Sequence, residues 1–233
     1  MKLHPIMCRA FFSLATLLIT VLPVQAGYVS VPGTSGSAFS VKVMSLKEAR
    51  FRTTVKQQHD FSCGSAALAT LLTYHYDDVV SEEDVFKAMF DAGNQEKIQR
   101  EGFSLLDMKI YLENNGYKAA GYKLSLDKLA EIGVPAIVLI NMNGYKHFVV
   151  LKGVSKQEIL VGDPATGSRT IPRADFESMW NGLVFVLLNK KNVAQNSFNR
   201  EQEWHVKVKA PKGVALSQSD LASVTTLFQG VLR

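Results

Sequence analysis

QQHDFSCGSAALATLL, residues 57–72, passes from a polar loop into an apolar run of small residues, and the changeover falls at Cys63-Gly64. The pattern predicts a helix that begins at Cys63 and runs to Tyr74 or Tyr76, with Ala66, Ala67, Leu68, Leu71 and Leu72 at helical spacing. So many small side chains let such a helix lie deep, close to neighbouring backbone. A thiol at a helix N-terminus faces unpaired N–H groups and the positive end of the macrodipole, and both favour thiolate over thiol. Taken alone, a cysteine is more often a small buried hydrophobe than a nucleophile. Its company in the chain decides between the two.

Working outward, the first half of the chain reads as helical. Ser81-Glu82-Glu83-Asp84 resembles a capping box that opens a helix to about Phe90. Ser104-Leu105-Leu106-Asp107 opens another that stops at Asn115-Gly116, and residues 126–132 form a shorter one. After Pro135 the character changes to short runs of branched residues: AIVLI at 136–140, HFVVLKGV at 147–154, EILVGD at 158–163, SRTI at 168–171 and LVFVLL at 183–188. Several are separated by Gly or Asn-Gly turns, as hairpin strands are, and Asn143-Gly144 is the clearest. Residues 174–180 add one late helix. A helical half followed by a largely antiparallel sheet is an α+β domain.

With 233 residues, 47% of them hydrophobic and 20% charged, the chain can bury one sizeable core. Residues 1–26 stand apart from it: Lys2 and Arg9 precede an almost wholly apolar run, and Val24-Gln25-Ala26 ends in a small residue before Gly27. That three-part pattern predicts a secretory signal peptide cleaved after Ala26, with a retained anchor as the alternative, and so a periplasmic protein. Residues 27–51 form the mature N-terminal segment, rich in Gly and Ser at its start, and 52–189 the domain proper. Residues 190–233 read as a polar linker and a tail with one alternating stretch, HVKVKA, and one amphipathic candidate helix over 217–232.

Signal removal lowers the formal net charge from +5 to +3. No Lys/Arg cluster interleaved with aromatics accompanies this mild basicity, which argues against a nucleic-acid partner. Removal also takes away Cys8 and leaves Cys63 as the sole cysteine. An exported protein with one thiol has no internal disulfide, so that thiol calls for its own explanation.

A cysteine nucleophile needs an imidazole to take its proton, a third group to fix the ring, and donors for the oxyanion. Of the mature chain's histidines, His205 lies in the tail, His75 near the exit of the first helix, and His59 in the loop before Cys63. His147 begins a strand straight after the Asn143-Gly144 turn, where a sheet holds it rigidly, and it is the best base. On the next strand, Val161-Gly162-Asp163-Pro164 puts an acid at a strand end, and adjacent antiparallel strands bring Asp163 beside His147. Singly, either is more often a surface or turn residue, since Asp-Pro is common in turns.

Four stretches in order carry a resemblance: Gln57-Gln58-His59-Asp60-Phe61-Ser62-Cys63-Gly64, Gly102-Phe103-Ser104-Leu105-Leu106, His147-Phe148-Val149-Val150-Leu151 and Asp163-Pro164-Ala165-Thr166-Gly167. Across residues 52–188 the chain resembles the bacteriocin-processing cysteine peptidases, papain-like enzymes best known for removing double-glycine leaders in peptide-exporting ABC transporters. The resemblance implies Cys63 as nucleophile, His147 as base, Asp163 as orienting acid and Gln57, six residues before the cysteine, as an oxyanion-hole donor. It also implies small residues before the scissile bond. Members often carry Asp immediately before the cysteine, where this chain has Ser62.

The sequence has no GxxxxGK[ST] pattern and no long apolar span after the domain, and in this it is similar to stand-alone exported members found with bacterial functional-amyloid secretion systems. The expected activity is peptide-bond cleavage through an acyl-enzyme, on a peptide or protein substrate such as a secreted amyloid subunit or its export machinery. No cofactor is expected, and one Cys with scattered His residues offers no zinc-ligand spacing. Two other classes share the motif set: a non-hydrolytic module binding a leader or export subunit, and a papain-like enzyme acting on peptidoglycan amides or by transpeptidation.

Overall fold

The computed structural model describes residues 28–32, 38–42 and 45–205. The signal peptide expected over 1–26 and the tail from 206 onward lie outside the described residues. The chain divides into two units at Met44/Ser45. In the first, β1 (Tyr28–Pro32) and β2 (Ala38–Lys42) pair antiparallel, with Tyr28 opposite Lys42 and Pro32 opposite Ala38.

The second unit opens with α1 (Leu46–Arg50) and then α2 (Cys63–His75), the helix expected from residues 57–72. From Cys63 to Leu72 every residue of α2 is buried, so it is covered all round and not amphipathic, with Ser65 and Thr70 as its hydrogen-bonded polar members. The small side chains make this possible. A Cβ on Gly64 would lie 2.8 Å from Met108 Cε and 3.0 Å from Phe103 Cβ, closer than real side chains pack. Around α2 stand α3 (Glu82–Ala92), α4 (Gln95–Glu101) and α5 (Leu105–Asn114). Ser81, Asn94 and Ser104 cap them, each side chain accepting from the backbone N–H three residues on, and Ser104 with Asp107 completes a reciprocal capping box.

β3 (Ala119–Lys123) and α6 (Leu126–Ile132) lead into the sheet strands β4 (Ala136–Met142), β5 (Tyr145–Val154), β6 (Glu158–Asp163) and β7 (Gly167–Pro172), then α7 (Arg173–Met179) and β8 (Trp180–Leu187). The sheet order is β3-β8-β4-β5-β6-β7, antiparallel at every pairing. Asn143 and Gly144 join β4 to β5 with φ of 53° and 93°, the left-handed pair that a two-residue hairpin requires. The β5 residues from His147 to Val154 are all buried, and α2 packs on this strand. The core therefore lies between the buried helix and the centre of the sheet. No helix of the described residues is long and apolar enough to cross a membrane.

Three elements differ from expectation. Helix α4 buries only Ile98, so QEKIQRE carries no apolar period to read. Strand β3, AAGYK, has no β-branched residue and is specified by its pairing to β8. The stretch expected as a polar linker, 190–203, instead forms α8 (Lys191–Gln195) and α9 (Glu201–Trp204) and is tied to the sheet. Its polar side chains serve buried groups: Ser197 Oγ lies 2.7 Å from His75 Nδ1, Asn199 Oδ1 accepts from the Val154 N–H at 2.8 Å, and Glu203 pairs with buried Lys152. Polarity that reads as solvent contact in sequence is here internal hydrogen bonding.

Candidate active site

Cys63 is the first residue of α2 and is 7% exposed. Ser62, the residue before it, gives the helix no side-chain cap. Its hydroxyl turns back on the loop, donating to the His59 carbonyl and accepting from the His59 N–H, both at 3.1 Å. The first-turn N–H groups beside the thiol thus have no side-chain acceptor, and they are suited to receive negative charge. Within the same first turn, Ser65 Oγ donates to Glu82 Oε1 at 2.8 Å, fixing the start of α2 to α3 inside the protein.

His147 and Asp163 meet as adjacent strands allow. His147 Nε2 lies 2.8 Å from Asp163 Oδ1, and each residue is 1% exposed. Asp163 Oδ1 also accepts from the N–H groups of Ala165 at 2.9 Å and Thr166 at 3.3 Å, while Oδ2 accepts from Arg169 Nε at 3.2 Å. Burial works against its ionisation, but the hydrogen bond and charge of His147, then Ala165 and Arg169, outweigh burial and hold the carboxyl well below the usual range. Burial likewise disfavours an imidazolium at His147. The bond to Asp163 and the influence of the nearby Cys63 prevail there, and the pKa rises from 6.5 to about 9.

With Nε2 committed to Asp163, Nδ1 is the nitrogen left for the thiol. Cys63 acts on the ring strongly enough to raise its pKa, yet Nδ1 makes no hydrogen bond of full geometry. Catalytic hydrogen bonds are often completed only when substrate arrives.

Gln57 is held at the same corner by its backbone, whose N–H donates to the Pro164 carbonyl at 3.0 Å. The side chain is turned differently from an oxyanion donor: Nε2 donates to the His59 carbonyl at 3.0 Å, and Oε1 is buried without a partner. Gln57 does not line the cleft. That cleft, about 650 Å³, opens on Cys63 between the 60–63 loop and the β4–β5 hairpin, with Phe61, Phe103, Leu106, Leu139 and Phe148 among its apolar walls. The Gly102–Leu106 motif forms one wall; Gly102 has φ of 79°, and the Phe61 carbonyl would be 3.2 Å from any Cβ there.

Two contributors escaped the sequence reading. Arg169 braces the far oxygen of Asp163, a role readable only once the β6–β7 register places Asp163 opposite Gly167. Tyr145 stacks on His147 with ring centroids 5.9 Å apart, and its hydroxyl donates to the Asp60 carbonyl at 3.4 Å. The other histidines are elsewhere: His75 is buried against Ser197 with its pKa lowered, chiefly by burial, and His59 is exposed and stacked on Phe61. Among the described residues no group of three His, Cys, Asp or Glu side chains is arranged to hold a metal ion.

A thiol at an uncapped helix start, a buried imidazole with one nitrogen free and the other on a carboxylate, and a cleft beside them form the constellation of nucleophilic acyl transfer. Comparison with known proteins places the chain among peptidases. Residues 52–192 match the model of the Peptidase C39 family. The chain is 42% identical over 179 residues to the probable functional amyloid protease FapD of Pseudomonas fluorescens, covering 76% of this chain and 79% of that one. Its counterpart in Pseudomonas aeruginosa is 40% identical over 178 residues, with the same coverage. Among solved structures, the peptidase domain of Streptococcus ComA, a bifunctional ABC transporter involved in quorum sensing, superposes with a TM-score of 0.50 at 21% identity, covering 58% of this chain and 96% of that one. At that identity the likeness shows the fold alone, and the fold is papain-like. Fold, family match and relatives converge, and the chain belongs to the Peptidase C39 family.

Proposed function

We propose that this peptidase cleaves by cysteine catalysis, with Cys63 as nucleophile, His147 as base and acid, and Asp163 as the group that orients the imidazole. The observation that carries this reading is the buried 2.8 Å bond from His147 Nε2 to Asp163, which leaves Nδ1 for a thiol at the mouth of the cleft. In acylation the Cys63 proton goes to His147 Nδ1 and the sulfur attacks the scissile carbonyl. The tetrahedral intermediate collapses by breaking the C–N bond, and the imidazolium gives its proton to the leaving amine. Water, deprotonated by His147, then hydrolyses the thioester and regenerates the thiol.

The oxyanion is assigned to first-turn N–H groups of α2 together with the Gln57 amide, which has to turn from the His59 carbonyl into the cleft to reach it. The same reading takes residues 1–26 as a cleaved signal, 27–51 as an exported N-terminal segment and 52–189 as the catalytic domain working in the periplasm. A secreted or outer-membrane component of a functional-amyloid system is the substrate, an assignment supported by the relatives named amyloid proteases.

Incubation of the protein with exported components of such a system, followed by mass spectrometry of the products, tests this. One defined cut that Cys63→Ala and His147→Ala both abolish is expected. Cleavage that survives Cys63→Ala overturns the mechanism.

A further inference from the structure

We propose that Tyr145 is a positioning residue for His147, through its ring, which backs the imidazole on the cleft side. The inference rests on the cysteine-peptidase reading and adds to it a residue that the catalytic motifs do not contain.

The placement follows from the hairpin. Tyr145 is the first residue of β5, paired with Met142 across a turn whose left-handed Asn143 and Gly144 fix the register. Two residues on, His147 lies on the same face of the strand. The Tyr145 ring stacks on the imidazole at 5.9 Å and 24° between planes. It is itself 52% exposed, whereas His147 is 1% exposed. The tyrosine therefore takes the solvent that the histidine is denied. Its hydroxyl reaches across to the Asp60 carbonyl at 3.4 Å, joining two walls of the cleft that also holds Cys63.

The polar groups around the imidazole are few. Cys63 faces it from α2, Asp163 from β6 with Arg169 of β7 behind, and Tyr145 from its own strand, with Asp60 in the loop beyond. A tyrosine face within about 6 Å stabilises a cation over it. It also limits rotation of a ring whose hydrogen bond among the described residues is to Asp163. Both effects favour an imidazolium held ready beside the thiol.

The test compares Tyr145→Phe with Tyr145→Ala in the full chain, reading the His147 titration by NMR and the iodoacetamide labelling of Cys63, with peptide mapping to separate it from Cys8. The phenylalanine form should stay within about twofold of the native protein in labelling. In the alanine form the imidazole midpoint should fall by roughly half to one pH unit, the size of a partly buried ring–cation contact, and labelling near neutral pH should drop severalfold. Tyr145→Leu, which keeps apolar bulk without a ring face, should follow the alanine form and serves if that one fails to fold. Native behaviour in both Ala and Leu forms, or equal impairment of Phe and Ala, overturns the inference. A His147→Ala control separates the levels: labelling indifferent to His147 sinks the peptidase mechanism, whereas labelling that follows His147 and ignores Tyr145 sinks this proposal alone.

Discussion

His147 Nε2 and Asp163 Oδ1 lie 2.8 Å apart inside the sheet, and the same carboxylate is held by two backbone N–H groups and by Arg169. Asp163 is thus fixed before it fixes the histidine. It determines which imidazole nitrogen faces the thiol.

Asp163→Asn keeps the shape and removes the charge. An amide oxygen can still accept from His147 Nε2, but it cannot favour the imidazolium. The expected loss in kcat is between about 10² and 10⁴, the range for a displaced general base, with KM nearly unchanged. Steady-state kinetics on any cleaved peptide checks this, and a change confined to KM would refute it.

The buried pair also gives the fold a pH dependence whose sign can be worked out. The folded-state pKa of His147 is raised to about 9, so its contribution is complete below about 6.5 and is lost as pH rises through 9. A raised pKa of that size corresponds to about 3 kcal/mol. Asp163 is lowered, so its contribution is present above the ordinary carboxylate range and fades as pH falls below it. Thermal unfolding followed from pH 4 to 10 should show a maximum near pH 5 to 6.5 that His147→Gln flattens on the alkaline side.

Lys152 and Glu203 supply a separate test of the chain beyond residue 190. Lys152 is buried, and its Nζ donates to the Thr53 carbonyl and hydroxyl, each at 2.8 Å, besides pairing with Glu203. Glu203→Ala strands that charge and should destabilise by about 3 kcal/mol. The double change Lys152→Met with Glu203→Leu removes both charges and should recover most of the loss in chemical denaturation. Equal losses in the single and double forms would mean that packing, not the ion pair, holds the segment.

The fold was legible where burial and periodicity agree. The small-residue run from Cys63, the serine caps and the strands around Asn143-Gly144 all announce themselves locally, and residues 126–132 and 158–163 fall on α6 and β6 to the residue. Elements specified by long-range partners were not legible: β3 exists because β8 lies beside it, and residues 190–203 fold because buried His75, Lys152 and the Val154 backbone need their polar atoms. At the site, residue types and strand ends singled out Cys63, His147 and Asp163 as candidates, and the resemblance across the four motifs joined them into one proposed set. The bracing by Arg169, the stacking of Tyr145 and the turn of the Gln57 amide toward His59 depend on register and rotamer, which no single sequence displays.

The most direct test is the rate of iodoacetamide labelling at Cys63 from pH 5 to 10, in the native chain and in His147→Ala. If the imidazolium beside the thiol sustains a reactive sulfur, labelling is fast already at pH 6, and the mutant labels slowly until the alkaline range of a free thiol, near pH 8.5. Slow labelling of both proteins, rising together only in alkali, would contradict a working Cys63–His147 pair.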